Sequence, residues 1–221
     1  MMQPGTYPVI YLFSKAPVAG RVKTRMQPGL SPQSCARLAG QMFSQTCVTL
    51  SRHWSGPRVI AADLDIDHPL FRQLSRDLGF ELEPQQGGDL GERMSHALSR
   101  GIARASAAAV VGADVPHIPG RIVRQAEQLL QAGEEVVGPA ADGGFYLLGL
   151  QTDGTSLFGG IRWGQGDVLS RLLEIARLQG RRFHRLPELR DIDRVRDLEW
   201  LAARDASYRQ FLPAPTVGSH G

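Results

Sequence analysis

Short apolar runs alternate with amphipathic stretches along almost the whole of this chain, and that alternation leaves few folds open. Residues 9–13 (Val-Ile-Tyr-Leu-Phe), 57–63, 80–83 and 107–112 read as strands, and residues 135–138 and 145–150 read as a β pair. Helical patterns fall between them. Ser31 followed by Pro32 opens one helix, residues 69–78 form another, and Asp89 caps a third whose apolar positions Leu90, Met94, Ala97 and Leu98 recur at helical spacing. A helix after Pro119, a helix over 167–179, a strand over 182–186 and a terminal helix from 194 to about 204 complete the pattern. Strands that alternate with helices pair in parallel through right-handed crossovers, so the expected class is α/β with a mostly parallel sheet. The length of 221 residues suits one domain with a sizeable core, expected over residues 1–212. The remaining residues 213–221, rich in proline, glycine and serine, are expected to be a disordered tail.

The first strand runs into the chain's two lysines. Lys15 and Lys23 both fall within Ser-Lys-Ala-Pro-Val-Ala-Gly-Arg-Val-Lys-Thr-Arg, residues 14–25, together with Arg21 and Arg25, and every other cation in the sequence is arginine. An ammonium on a flexible stem acts as a point charge for phosphate oxygens, whereas guanidinium is a planar fork. In open α/β sheets ligands bind where such loops leave the carboxyl ends of the strands. Pro17 limits backbone freedom and Gly20 permits unusual angles, as an anion-binding nest requires. The spacing matches neither the P-loop nor the G-x-G-x-x-G fingerprint, which argues against ATPase and dehydrogenase chemistry. A solvated basic loop is the alternative reading.

Net charge is +3 and the sequence pI about 9.2, but the arginines are scattered among acids instead of gathered in a block. That favours local phosphate binding over coating of nucleic acid, and no nucleic-acid partner is expected. Cys35 and Cys47 lie in one expected helix, where twelve residues separate them by roughly 18 Å, too far to pair. No signal peptide precedes the first strand and no apolar stretch reaches the roughly 18 residues of a membrane span, so a cytoplasmic protein without a membrane partner is expected.

Four acidic or glycine-rich constellations sit at element ends. Residues 109–116 run a buried strand directly into Asp114, fixed by Pro116, where a strand-end carboxylate can hold a metal or a ribose hydroxyl or simply close a turn. Asp142-Gly143-Gly144 is a turn through which a backbone can approach a ligand, with Asp142 able to accept acceptor hydroxyls, or it is an ordinary β-turn. Asp191-Ile192-Asp193 sets two carboxylates on one side of an extended segment just before the terminal helix. Gly88, Asp89, Gly91 and Arg93 form a glycine-flanked helix start that could receive a phosphate or a base edge, or serve only as a capping box. Trp163, in a further glycine-flanked turn, could shape an acceptor pocket or pack in the core.

In order along the chain these motifs read K-x-P-x-x-G-x-V-K-T-R from Lys15, G-D-L-G-E-R-M from Gly88, G-x-D-x-P around Asp114, G-P-x-x-D-G-G-F-Y around Asp142, Trp163-Gly164 and Asp191-Ile192-Asp193. The series resembles the GT-A-like family of radical-SAM/selenodomain-associated transferases, and its first segment is similar to the loop of 2-phospholactate guanylyltransferases. The resemblance implies a Rossmann-like three-layer sandwich of the nucleotide-diphospho-sugar transferase (GT-A) type and a nucleotide or nucleotide-sugar donor. It also implies a small-molecule acceptor and Mg²⁺ or Mn²⁺. Lys15, Gly20, Arg21, Lys23, Arg25, Gly88, Asp89, Gly91 and Arg93 would then bind the nucleotide, with Lys23, Asp114 and Asp142 at the chemistry. Asp142, Gly143, Gly144 and Trp163 would face the acceptor. GT-A glycosyltransferases usually carry D-x-D at the strand end, but here Val115 and Pro116 follow Asp114, so either the second metal carboxylate comes from elsewhere or metal dependence is weaker than usual. Asp193 is the first candidate and Asp191 the next. Glycosyl transfer from a nucleotide sugar is the leading expectation. Nucleotidyl transfer from a nucleoside triphosphate and non-catalytic nucleotide binding stay open, because all three need the same cations.

Overall fold

The computed structural model describes residues 7–213. The tail expected from residue 213 onward lies, from residue 214, outside the described residues. The chain divides into two compact units, Met1–Ala16 with Met42–Asp191, and Pro17–Gln41 with Ile192–Gly221. Helix α1 (Pro32–His53) carries the chain from the second unit into the first.

The first unit holds a sheet of strands β1 (Val9–Lys15), β2 (Arg58–Asp63), β3 (Glu81–Pro84), β4 (Ala108–Gly112), β5 (Glu135–Pro139), β6 (Phe145–Leu150) and β7 (Phe183–Arg185). Their order is β3-β2-β1-β4-β6-β5-β7. Pairing is parallel except on both flanks of β6, which runs against β4 and β5. Helix-linked strands are parallel as the alternation required. The reversed strand comes from the tight turn between β5 and β6, since a turn of a few residues can only return the chain antiparallel. This reversal has a consequence for the site. The start of β6 lies at the carboxyl end of the parallel strands, and its register with β4 (Val111 opposite Leu147) brings the end of β4 alongside the turn that precedes Phe145.

Period-two alternation sorts each central strand onto two faces. Ile10 and Leu12 of β1, with Ala109 and Val111 of β4, enter one buried cluster; Val9 and Tyr11, with Ala108 and Val110, enter the other. Helices α2 (Pro69–Leu78) and α4 (Gly120–Gln131), with the second half of α1, cover the first face through Phe71, Ile122, Val123, Phe43 and Cys47. Helices α3 (Leu90–Ala105) and α5 (Val168–Leu178) cover the second through Met94, Leu98, Leu169 and Leu172. Each fully buried aliphatic side chain contributes roughly 1.5–3 kcal/mol, which is what fixes the helices on their faces.

Helix boundaries follow local chemistry. Ser31 Oγ accepts from Ser34 N at the start of α1, and Asp89 Oδ1 accepts from Glu92 N at the start of α3. Glu92 Oε2 accepts in return from Gly88 N, one residue earlier than in the usual capping box. The helix expected from residue 194 to about 204 is shorter. Helix α6 spans Val195–Ala202, and a 3-10 turn at Ala206–Phe211 follows because Asp205 Oδ1 accepts from Ser207 N and starts a new turn. Both cysteines are free and buried, and burial pushes their thiols up from the ordinary range. No helix among the described residues is long and apolar enough to cross a membrane.

Candidate functional site

In the second unit, the loop after β1 is held by one acidic residue. Lys23 adopts a left-handed backbone (φ 49°), which costs a non-glycine residue about 1–2 kcal/mol. Its ammonium offsets that cost: Nζ donates to Ile192 O at 2.6 Å and to Asp193 Oδ1 at 3.3 Å, and the side chain is only 7% exposed. Arg25 donates to the other oxygen, Oδ2, at 3.1 Å while remaining exposed. Asp193 is fixed in turn, since Asp197 Oδ2 accepts from the backbone N–H groups of Asp193 and Arg194. Asp197, itself buried, is a residue that sequence reading missed, and its place in the first turn of an expected helix would have been the only hint.

The structure therefore joins Lys23, Arg25 and Asp193, leaves Arg21 and Gly20 exposed, and places Lys15, exposed, at the end of β1 in the first unit. Asp114 and Asp191 belong to the first unit and Asp193 to the second. Asp114, following β4, suits a divalent-cation ligand by type and position. Asp193 does not, because both of its oxygens are engaged by cations. Among the described residues no group of three or more His, Cys, Asp or Glu could hold a metal ion. Asp193 thus offers a metal no unengaged oxygen, and no step below runs through a metal.

At the carboxyl end of the first unit's sheet, Arg93 binds inward. Its guanidinium pairs with Asp63 Oδ2 at 3.0 Å, donates to Gly87 O at 3.1 Å and reaches Gln85 Oε1 at 3.5 Å, tying the glycine loop before α3 to the ends of β2 and β3. Asp63 and Gln85 were not singled out in the sequence, because nothing in a strand-end aspartate reveals an arginine thirty residues on. Leu64, beside them, has φ 76° and donates its N–H to Asp63 Oδ1.

The Asp142 turn closes on itself. Asp142 Oδ1 accepts from Gly144 N at 2.8 Å, and the carboxylate is exposed. Gly143 is required there for packing: its φ is +88°, and a Cβ would lie 1.9 Å from Gly166 O. Gly91 is required for a similar reason, since a Cβ would lie 2.6 Å from the Trp163 ring, which also faces Phe158 with centroids 6.1 Å apart. The turn at 163–166 thus touches the Asp142 turn at one end and the first turn of α3 at the other, joining three of the segments that the sequence singled out.

Beside that junction a groove of about 630 Å³ is lined by Asp89, Gly91, Glu92, Ser95, His96 and Ser99 of α3 and its cap on one side and by Thr155 and residues 158–161 on the other. Helical spacing puts Glu92, Ser95, His96 and Ser99 on one face of α3. Ser99 Oγ and Thr155 Oγ1 each donate to Asp153 Oδ1 at 2.8 Å, and Ser95 Oγ donates to Thr155 Oγ1 at 3.1 Å. These bonds hold the Asp153 carboxyl below the usual carboxylate range, the Thr155 hydroxyl contributing most. None of these hydroxyl residues was legible in the sequence.

With this geometry in view, comparison with known proteins places the chain. The family profile described as "Uncharacterized protein conserved in bacteria (DUF2064)" matches residues 46–165, more than half of the sequence. The chain belongs to the DUF2064 family. A solved structure from Desulfovibrio desulfuricans, assigned as a nucleotide-diphospho-sugar transferase, is similar at 30% identity and TM-score 0.79, covering 93% of this chain and 98% of that one. A cytidylyltransferase from Leptospira borgpetersenii shares the fold at 13% identity and TM-score 0.56, covering 93% of this chain and 92% of that one. A nucleotidyl transferase from Methanothermobacter does so at 17% identity and TM-score 0.51, covering 92% and 99%. Among curated proteins none matches the sequence. This DUF2064 member therefore has the Rossmann-like α/β fold of nucleotide-diphospho-sugar transferases, as its motif series implied.

Proposed function

We propose that this protein is a nucleotide-dependent transferase, and that it moves a sugar from a nucleotide-diphospho-sugar to a small acceptor. The observation that carries this reading is the loop after β1. Lys23, strained and buried, is anchored on Ile192 O and Asp193, while Arg21 and Arg25 stay exposed. A loop whose shape is set in advance presents its cations with little reorganisation, as a departing diphosphate requires, because charge develops on it as the bond to the sugar breaks. Within this reading Lys23 is a positioning residue. Arg21 and Arg25 neutralise phosphate oxygens. Gly88 and Gly91 at the start of α3 let backbone amides approach the nucleotide.

In the transfer step the acceptor hydroxyl oxygen bonds to the anomeric carbon, the carbon–oxygen bond to the diphosphate breaks, and the hydroxyl proton passes to a carboxylate. Asp142, exposed with one oxygen engaged by Gly144 N, has the other available for that proton. Asp114, after β4, would serve the donor ribose or a divalent cation, Mg²⁺ or Mn²⁺. The Desulfovibrio relative supports the sugar reading. The fold shared with a cytidylyltransferase and a nucleotidyl transferase favours a second one, nucleotidyl transfer from a nucleoside triphosphate through the same cations.

A thermal-shift screen of nucleotides and nucleotide sugars, run with Mg²⁺ and with EDTA, tests the proposal, since a ligand specific for the native state raises its apparent stability. Stabilisation by a nucleoside diphosphate and its sugar conjugate is expected. Stabilisation by triphosphates alone would move the assignment to nucleotidyl transfer, and no response to any nucleotide would overturn both. Binding without turnover over a broad acceptor panel would leave a nucleotide-binding protein.

A further inference from the structure

The groove beside α3 has a chemical character of its own. No lysine or arginine lines it, two carboxylates (Asp89 and Glu92) do, and Asp153 stands behind its hydroxyl wall. Each hydroxyl proton of that wall is already spoken for: Ser99 and Thr155 donate to Asp153, and Ser95 donates to Thr155. What Ser95 and Ser99 still offer a ligand is oxygen lone pairs, so these two serines accept hydrogen bonds. Beyond Thr155 the opposite side is apolar, with Phe158 and Ile161 in the lining and the Trp163 ring packed on Gly91 and facing Phe158. A volume of about 630 Å³ is within the range of small-molecule sites.

We propose that this groove is the acceptor site and that the acceptor is an uncharged polyhydroxylated molecule, a sugar or polyol, bound by donating its hydroxyls to the α3 wall. The proposal rests on the nucleotide-dependent transfer argued above, because the groove begins at Asp89 and Gly91, where α3 starts. A phosphate or carboxylate on the acceptor would meet the like charge of Asp89 and Glu92 with no lysine or arginine in the lining to pair with. Forming a nucleotide-diphospho product needs a phosphate-bearing acceptor, so the lining also favours glycosyl over nucleotidyl transfer. Phe158 and Ile161 would cover the C–H face of a sugar ring while Ser95, Ser99 and Glu92 take its hydroxyls.

Saturation-transfer NMR on the full chain tests this with methyl glycosides of glucose, galactose and mannose, with glycerol, and with glucose 6-phosphate. Two variants should alter the groove and spare the fold. A Cβ at Gly159 meets nothing closer than Ser156 O at 3.9 Å, so Gly159→Tyr is sterically admitted, and His96 is exposed on α3, so His96→Lys adds a cation at little cost. At least one neutral glycoside should bind the wild type at least tenfold more tightly than glucose 6-phosphate. Gly159→Tyr should weaken that glycoside at least tenfold while the nucleotide-induced thermal shift stays as it was. His96→Lys should narrow the preference by improving glucose 6-phosphate. Equal or tighter binding of glucose 6-phosphate to the wild type, glycoside binding indifferent to Gly159→Tyr, or no neutral ligand bound at all would overturn the groove assignment. A failed nucleotide screen would instead sink the transferase reading, and the two outcomes are read in separate experiments.

Discussion

Lys23 and Asp142 sit in loops of similar composition, each with glycines and a proline close by, yet the molecule holds them in opposite ways. The Asp142 carboxylate finds its partner two residues away, in the N–H of Gly144, although the backbone around it also bonds to Leu189 and Leu169. Lys23 reaches a partner 170 residues away, and its left-handed backbone is held with the ammonium bonded to Ile192 O and Asp193. A locally satisfied carboxylate leaves its outer oxygen available for chemistry. A strained residue held over such a sequence distance shows that the fold sets this loop's shape in advance, which is the property an anion site needs.

The contrast can be broken most forcefully through packing. Gly143→Val should cost about 3 kcal/mol or more in chemical denaturation, since the added atoms collide with Gly166 O at a left-handed backbone position. A loss under about 1 kcal/mol would mean the turn can yield, and that its glycine serves a ligand instead. Lys23→Ala comes next. Removing a nearly buried ammonium and its charged hydrogen bonds should destabilise by about 2–3 kcal/mol and lower nucleotide affinity as the loop relaxes. Lys23→Arg should restore only part of either, because the fork does not match a point-charge site.

Asp142→Asn should do the reverse. An amide oxygen still accepts from Gly144 N, so stability should change by less than about 0.5 kcal/mol, while transfer to the acceptor falls by about 10² because the proton acceptor is gone. Transfer within about threefold of wild type would reduce Asp142 to a turn residue. The smallest effect concerns pH. Asp153 has its carboxyl lowered by Thr155 and Ser99, so its contribution is present above the ordinary carboxylate range and is lost only as pH falls through its own depressed value. Ser99→Ala should move the Asp153 carboxyl resonance back toward the ordinary range in an NMR titration; no movement would remove Ser99 from the network.

Much of the scaffold was legible because strands and helices announce themselves through periodicity. The runs at 9–13 and 107–112 alternate onto two buried faces as their spacing demands, and Pro69, Asp89 and Ser31 start helices where capping chemistry put them. The reversal of β6 followed from its short turn. What the sequence withheld was pairing at long range. Asp193 looks like a spare metal carboxylate until Lys23 and Arg25 are seen on its two oxygens, and Arg93 looks like a phosphate ligand until Asp63 takes its guanidinium. Serines and threonines carry almost no signal alone, so the wall of the groove was invisible before Asp153 gathered Ser99 and Thr155.

The central claim is that the exposed cations of the loop after β1 bind nucleotide phosphates. Calorimetry on the double variant Arg21→Ala/Arg25→Ala tests it most directly, using the nucleotide that stabilises the wild type most, at low salt, with Mg²⁺ and with EDTA. Both side chains are exposed, so melting should change little. Loss of two charged contacts should weaken binding at least tenfold under both conditions and reduce its dependence on salt. Unchanged affinity in the double variant would contradict the claim and leave the loop a solvated basic segment.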